Sequence, residues 1–251
     1  DELDLPEGVV NLVHGGKEAS IAVMEHPDIV GVSFVGSTPV ARIVYETCAK
    51  HGKRVQAQGG AKNYIAVMPD ADVQASVANI MGSAFGCAGQ RCLAGSVVVA
   101  VGDAYEPLKA ELIKRASNLR VGYGLEETTQ MGTVISASAR ERIEKMIQQG
   151  VSEGAQVALD GRGKQVAGYA DGSFVGPTIL DGVTSDMSVA KDEIFGPVLS
   201  IMHAPDFDSA VELINGSRYG NAASLFTNSG KHAREFKYRV RAGNIGINVG
   251  V

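Results

Sequence analysis

The chain is poor in cysteine, with only Cys48, Cys87 and Cys92 among its 251 residues. An odd, sparse set cannot form a disulfide framework, and free thiols fit a reducing compartment, read here as cytoplasmic or, in a eukaryote, the mitochondrial matrix. The spacing from Cys87 to Cys92 is neither a CxxC redox pair nor a zinc-ligand pattern. The five histidines, His14, His26, His51, His203 and His232, form no ligand or catalytic pair either. No metal site is therefore expected, and all five are read as structural or exposed. No apolar run approaches the ~20 residues that a membrane-spanning helix needs. Positive charge is not in excess: 23 Lys and Arg against 28 Asp and Glu give a formal net charge of −5. That balance argues against nucleic acid or an anionic membrane as partner and leaves a small molecule as the expected one. Asp1-Glu2-Leu3-Asp4 has neither a basic nor an Arg-rich amphipathic character, so no targeting peptide is visible. Repeats and low-complexity linkers are also missing.

What is present is ordinary for a folded chain: 45% hydrophobic and 20% charged residues exclude disorder and allow one large core or two modest ones. Apolar runs rich in β-branched residues alternate with helical patterns. Strands are expected over 29–35, 64–68, 96–101, 156–159, 198–203, 223–227 and 244–248, and helices over 39–50, 72–86, 104–119, 139–153, 207–217 and 231–241. Such alternation reads as an α/β fold with a largely parallel sheet. Gly8-Val9-Val10-Asn11-Leu12-Val13 reads as a further strand without a preceding βα unit, and 244–248 as a final strand without a covering element, so both ends look cut.

Cys92 falls in a tight connection, Gly89-Gln90-Arg91-Cys92, between a helix ending near Gly89 and the strand from Ser96. A thiol there is exposed, and Arg91 beside it favours the reactive thiolate. A lone cysteine is more often a small buried side chain, which is how Cys48 and Cys87, among Ala, Val and Phe on helical apolar faces, are read. Gly36-Ser37-Thr38-Pro39 joins a strand to a helix whose first turn Pro39 suits, and free amides at that helix start could receive a phosphate. It is not a GxGxxG fingerprint, and an ordinary βα turn explains it as well. In Asp192-Glu193-Ile194-Phe195-Gly196-Pro197, extended backbone would project Glu193 and Phe195 to one side. The carboxylate could then take ribose hydroxyls while the ring packs on a flat base. Plain structure before a Gly-Pro turn is the competing account.

Taken together, Val35-Gly36-Ser37-Thr38, the run Phe85 to Cys92 (FGCAGQRC) and Glu193 to Val198 (EIFGPV) resemble the aldehyde dehydrogenase superfamily in content and order. The resemblance extends over Pro6-Glu7-Gly8-Val9-Val10-Asn11 and Ala242 to Asn248. It implies an aldehyde dehydrogenase-like α/β fold, a catalytic thiol domain with part of a Rossmann-like cofactor domain. Residues 1–60 would be the C-terminal part of the NAD-binding domain, and 61–251 the catalytic domain, truncated at its C-terminus. Cys92 would attack the aldehyde carbon and end as a thioester, with its own N–H as one oxyanion donor. NAD would meet Gly36 and Ser37 at its pyrophosphate, Glu193 at the nicotinamide ribose and Phe195 at the nicotinamide. His14, Gly15 and Gly16 would lie near the adenine end.

Where most hydrolytic relatives place a water-activating glutamate, four residues before Lys62, stands Gln58, which cannot accept a proton at neutral pH. A better nucleophile than water is then needed, and coenzyme A meets that need. Arg54-Val55-Gln56-Ala57, Gly60-Ala61-Lys62-Asn63 and Gly89-Gln90-Arg91-Cys92 resemble the CoA-acylating methylmalonate-semialdehyde dehydrogenase branch. The branch implies a malonate or methylmalonate semialdehyde as substrate, release of carbon dioxide, and Arg91 gripping the substrate carboxylate with a two-pronged guanidinium. A surface arginine that only lowers the thiol pKa is the alternative for Arg91. The upstream oxyanion asparagine, a second carboxylate arginine and the strands that pair subunits in a homo-oligomeric parent (dimer or tetramer) are not found here. The isolated chain is therefore expected to bind NAD poorly and to turn over little. A free-acid-forming relative and an inactive structural or interaction remnant of the fold are the rival readings.

Overall fold

The computed structural model describes residues 5–250; Asp1-Glu2-Leu3-Asp4, read above for targeting, and Val251 lie outside the described residues. The chain separates into two compact units, Asp1–Gly60 and Ala61–Val251.

The first unit contains α1 (Lys17–Glu25), β1 (Gly31–Val35), α2 (Thr38–Lys50) and β2 (Arg54–Gln58). β1 and β2 pair in parallel, from Gly31 opposite Arg54 to Val35 opposite Gln58, which makes a single βαβ turn of chain. In α2 the residues at i, i+3 and i+7, Ala41, Val44 and Cys48, are buried, as the 3.6-residue period requires of one face. With Met24 of α1, Val44 and Cys48 form a small core against Val32, Phe34, Val55 and Ala57. Residues 8–13 are exposed and form no strand. β1 and β2 pair with each other, and among the described residues no strand pairs with this segment, so its β-branched content cannot act. The helix α1 and the strand β2 were not legible in the pattern. One buries a single residue, Met24, and the other, RVQAQ, is half polar.

The second unit runs β3 (Asn63–Val67), α3 (Val73–Phe85), β4 (Gly95–Val101), α4 (Tyr105–Ser117), α5 (Ala137–Ser152), β5 (Gln156–Leu159), β6 (Thr178–Asp181), α6 (Ser188–Lys191), β7 (Val198–Ala204), α7 (Phe207–Asn215), β8 (Ala222–Phe226), α8 (Gly230–Arg239) and β9 (Asn244–Ile247). Its seven-stranded sheet has the order β5-β6-β7-β4-β3-β8-β9, parallel throughout apart from the antiparallel β5–β6 pair. β3 and β8 are buried at every residue, which is why they read as continuous apolar runs. Four helix starts are fixed by a side chain accepting a backbone N–H: Asp72 from Ala75, Ser136 from Ala139, Asp206 from Ser209 and Ser229 from His232. Because the central strands are parallel, the amino ends of β7, β4, β3 and β8 lie along one edge of the sheet. Among the described residues, no helix is long and apolar enough to cross a membrane.

Candidate active site

The edge formed by those amino ends carries the residues of chemical interest. α3 stops at Phe85, and Gly86–Gly89 form a 3-10 turn in which Cys87 and Ala88 both have φ of 52° and Gly89 has φ of 68°. This left-handed stretch corrects the expectation of a helix reaching Gly89. It also corrects Cys87: turned off the apolar face, it is exposed, as is Cys92, while Cys48 is buried. A Cβ on Gly89 would lie 2.1 Å from the Gly196 carbonyl oxygen. Only glycine lets the turn ahead of Cys92 approach the Gly196-Pro197 segment so closely.

Polar contacts then pin the loop on every side. Gln90 accepts from the Ile135 N–H at 2.8 Å. Ala94 N–H donates to Arg91 O at 3.0 Å, and Gly95 N–H to Ser83 Oγ at 3.0 Å. The Cys92 carbonyl accepts from Asn63 Nδ2 at 2.9 Å and Asn221 Nδ2 at 2.8 Å. Arg91 Nη2 donates to Gly82 O and Ser83 O at 2.9 and 2.8 Å, closing the end of α3. Both two-pronged faces of a guanidinium include Nη2. In this arrangement Nη2 is engaged, and Arg91 keeps Nη1 and Nε as single donors in place of the expected fork.

Facing this loop is the segment after α6. Glu193 is half-buried and accepts the Ala61 N–H at 3.1 Å. Burial raises its pKa, opposed by the Ala61 N–H and by the charges of Lys62 and Arg142. Lys62 is buried, and its Nζ has no hydrogen-bond partner among the described residues. Burial pulls its pKa from 10.5 down to about 7, against the raising pull of Asp192 and Glu193. Arg142 Nη1 donates to Ile194 O at 2.7 Å, holding the segment to α5. Phe195 has φ of 52°, so the backbone is not extended through it and the alternation expected to align it with Glu193 does not operate. The two nevertheless line one cavity of about 20 Å³ together with Arg91 and Asn63, and the Phe195 ring is 39% exposed. Asn221 and Arg142 carried no local signal in the sequence, and Lys62 and Asn63 only a motif signal, since the partners of Asn63, Asn221 and Arg142 lie far along the chain.

In the first unit, Ser37 is the N-cap residue of α2 with extended backbone and no side-chain capping bond. This leaves its hydroxyl and the first-turn amides of Thr38 and Val40 suited to an anion. Gly36 N–H donates to the Gln58 carbonyl at 3.1 Å, and Gln58 is exposed at the end of β2. His14, Gly15 and Gly16 are exposed residues leading into α1. Gly15 lines a cavity of about 680 Å³ with Val13, Val32, Val40 and Ile43. A flat apolar base with a phosphate attached suits this combination of apolar wall and helix start, so the residues present fit the adenine and pyrophosphate parts of a dinucleotide. Among the described residues, no group of three or more His, Cys, Asp or Glu is placed to hold a metal ion.

Comparison with known proteins finds relatives along the whole chain. The chain is 48% identical over 250 residues to malonate-semialdehyde dehydrogenase 2 of Geobacillus kaustophilus, covering 100% of this chain and 51% of the relative. It is 49% identical over 248 residues to the mitochondrial, acylating methylmalonate-semialdehyde dehydrogenase of Arabidopsis thaliana, covering 99% and 41%. A solved structure from Sinorhizobium meliloti, assigned as a methylmalonate-semialdehyde dehydrogenase and complexed with NAD, superposes with a TM-score of 0.96 at 43% identity, over 99% of this chain and 51% of that one. The chain thus spans about half the length of the curated relatives it matches. The pattern of the aldehyde dehydrogenase family matches residues 1–251, and with relatives this similar along its whole length, the chain belongs to that family.

Proposed function

We propose that this chain carries the nucleophile and much of the cofactor contact surface of an NAD-dependent, CoA-acylating malonate- or methylmalonate-semialdehyde dehydrogenase. The observation that carries the reading is Cys92, an exposed thiol on a loop anchored through its own carbonyl, beside the Glu193–Phe195 segment. In this reading Sγ of Cys92 adds to the aldehyde carbon, and the Cys92 N–H, which has no partner among the described residues, donates to the developing oxyanion. NAD, when bound, supplies the two-electron oxidation that turns the adduct into a thioester on Cys92. Ser37 and the start of α2 hold the pyrophosphate, the cavity by Gly15 takes the adenine, Glu193 the nicotinamide ribose, and Phe195 packs on the nicotinamide. Arg91 contacts the substrate carboxylate through one donor until carbon dioxide is released. Gln58, at the position of the water-activating glutamate, disfavours hydrolysis. Coenzyme A then takes the acyl group from Cys92 as acetyl- or propionyl-CoA. The acylating name of the Arabidopsis relative supports that last step. Function in the reducing cytoplasm or mitochondrial matrix, as a homo-oligomeric parent protein, belongs to the same proposal.

The test is mass-spectrometric mapping of limiting iodoacetamide on the folded chain at neutral pH. Cys92 should label at least about tenfold faster than Cys87, which is also exposed and serves as the control for access alone. Equal rates at the two would overturn the assignment of the nucleophile. In the longer parent protein, acyl-CoA should form only when CoA is supplied; release of free acid at the same rate without CoA would replace the acylating reading with a hydrolytic one.

A further inference from the structure

We propose that Asn63 and Asn221 are positioning residues that hold Cys92 in its reactive geometry by a two-amide clamp on its backbone carbonyl; this rests on the reading of Cys92 as the nucleophile. The two side chains come from the amino ends of neighbouring strands. Asn63 is the first residue of β3, Asn221 precedes β8, and the register between them begins with Tyr64 opposite Ala223. Their Nδ2 atoms converge on one oxygen, Cys92 O, at 2.9 and 2.8 Å, and Asn63 Nδ2 also reaches Ala94 O at 2.9 Å. Only the NH2 end of an amide can face two carbonyl oxygens, so the orientation of Asn63 follows from chemistry.

The clamp stands where the sheet ladder fails. β3 and β4 pair regularly from Tyr64 opposite Val97 onward, but the register shifts between Asn63 and Tyr64. The carbonyls of residues 92 and 94 lie just ahead of β4, beside this irregularity. Asparagine side chains donate to both, and the loop is held without continuing the strand through the nucleophile. A carbonyl bonded from two directions fixes the plane of the Cys92–Leu93 peptide. With the Ala94 to Arg91 turn closing the other side, the Cys92 N–H and the Cα–Cβ bond keep one relation to each other. Acyl chemistry needs that relation, because sulfur and the oxyanion donor must meet the two ends of one carbonyl group. Alkylation by a small haloamide needs only the thiolate.

That contrast makes the clamp measurable on this chain without cofactor. Two rates at Cys92 are compared: acylation by 4-nitrophenyl acetate, in which sulfur gains the acetyl group, 4-nitrophenolate leaves and the thiol proton passes to water, and alkylation by iodoacetamide over a range of pH. In Asn221→Ala, acylation should fall about fivefold, the equivalent of one hydrogen bond, while the alkylation profile keeps its midpoint and its plateau within about twofold. Asn221→Asp keeps the size but presents an acceptor to Cys92 O, and after correction for its alkylation profile it should lose at least as much. Asn63→Ala should lose more, since two carbonyls are released. Should it fail to fold, the Asn221 pair carries the test, and Asn221→Gln, which keeps the donor, should recover part of the rate. Acylation that tracks alkylation in all variants would overturn the clamp and leave Cys92 as nucleophile. If Cys92 in the unaltered chain reacts no faster than Cys87, the functional reading itself falls.

Discussion

Lys62 shows most sharply how a single residue can be legible as a motif member and illegible as a physical object. Its place in Gly60-Ala61-Lys62-Asn63 marks the family, but nothing local says that its ammonium is buried without a hydrogen-bond partner and lowered to a pKa of about 7. Below about pH 7 the ammonium is charged in both folded and unfolded chains, and its burial penalty is carried in full. Between about 7 and the ordinary 10.5 the folded chain has released the proton that the unfolded chain still holds. Stability therefore climbs with pH across that window, by at most about 1.4 kcal/mol per pH unit. Lys62→Met should raise the thermal midpoint at pH 6 and flatten the rise between pH 7 and 9; calorimetry across that range checks both. Glu193 runs the other way. Its pKa is raised, so its contribution falls as pH climbs from the ordinary carboxylate value to the raised one. Cys92 was expected to be exposed in the connection Gly89-Gln90-Arg91-Cys92, and its thiol is exposed. Cys87 was misplaced because periodicity assumes a continuing helix, whereas a left-handed turn intervenes.

The turn that leads to Cys92 shows what one element can depend on. Its shape comes from three successive positive φ values and from the contact of Gly89 with the Gly196 carbonyl. Gly89→Ala would add a Cβ 2.1 Å from that oxygen and 3.1 Å from the Ala84 carbonyl. A loss of at least about 2 kcal/mol in denaturant unfolding is expected, and with it the labelling advantage of Cys92 over Cys87. The wider placement of the site also resists reading from sequence. Ligands of open α/β sheets usually gather at the carboxyl ends of the strands, whereas Asn63 begins β3 and Cys92, Gly196 and Asn221 sit just ahead of the amino ends of β4, β7 and β8. The alternation of strands and helices was legible, since each pattern repeats over a few residues. The edge of the sheet that would carry chemistry was not.

For the whole molecule, the two units differ in what holds them together. The second has a continuous core through all its central strands. Among the described residues the first buries only four hydrophobic side chains, Met24, Ala41, Val44 and Cys48, and leaves Val9, Val10, Leu12, Val30 and Ile43 exposed. A unit of that size with so little burial is marginal, and its apolar surface and open strand edges favour self-association. Residues 61–251 expressed alone should keep a cooperative thermal transition. Residues 1–60 alone should show none and should sediment as aggregates; a sharp monomeric transition there would contradict this account. The sequence by itself determined the family, the α/β alternation of the second unit and the exposed placing of Cys92, because motif order and short-range periodicity are written in neighbouring residues. Only the tertiary structure decided that residues 8–13 form no strand, that Arg91 closes α3, and that Asn63 and Asn221 meet at the carbonyl of Cys92. Those outcomes depend on which strands become neighbours and in what register, and that is fixed by burial of the whole sheet, not by any local stretch of chain.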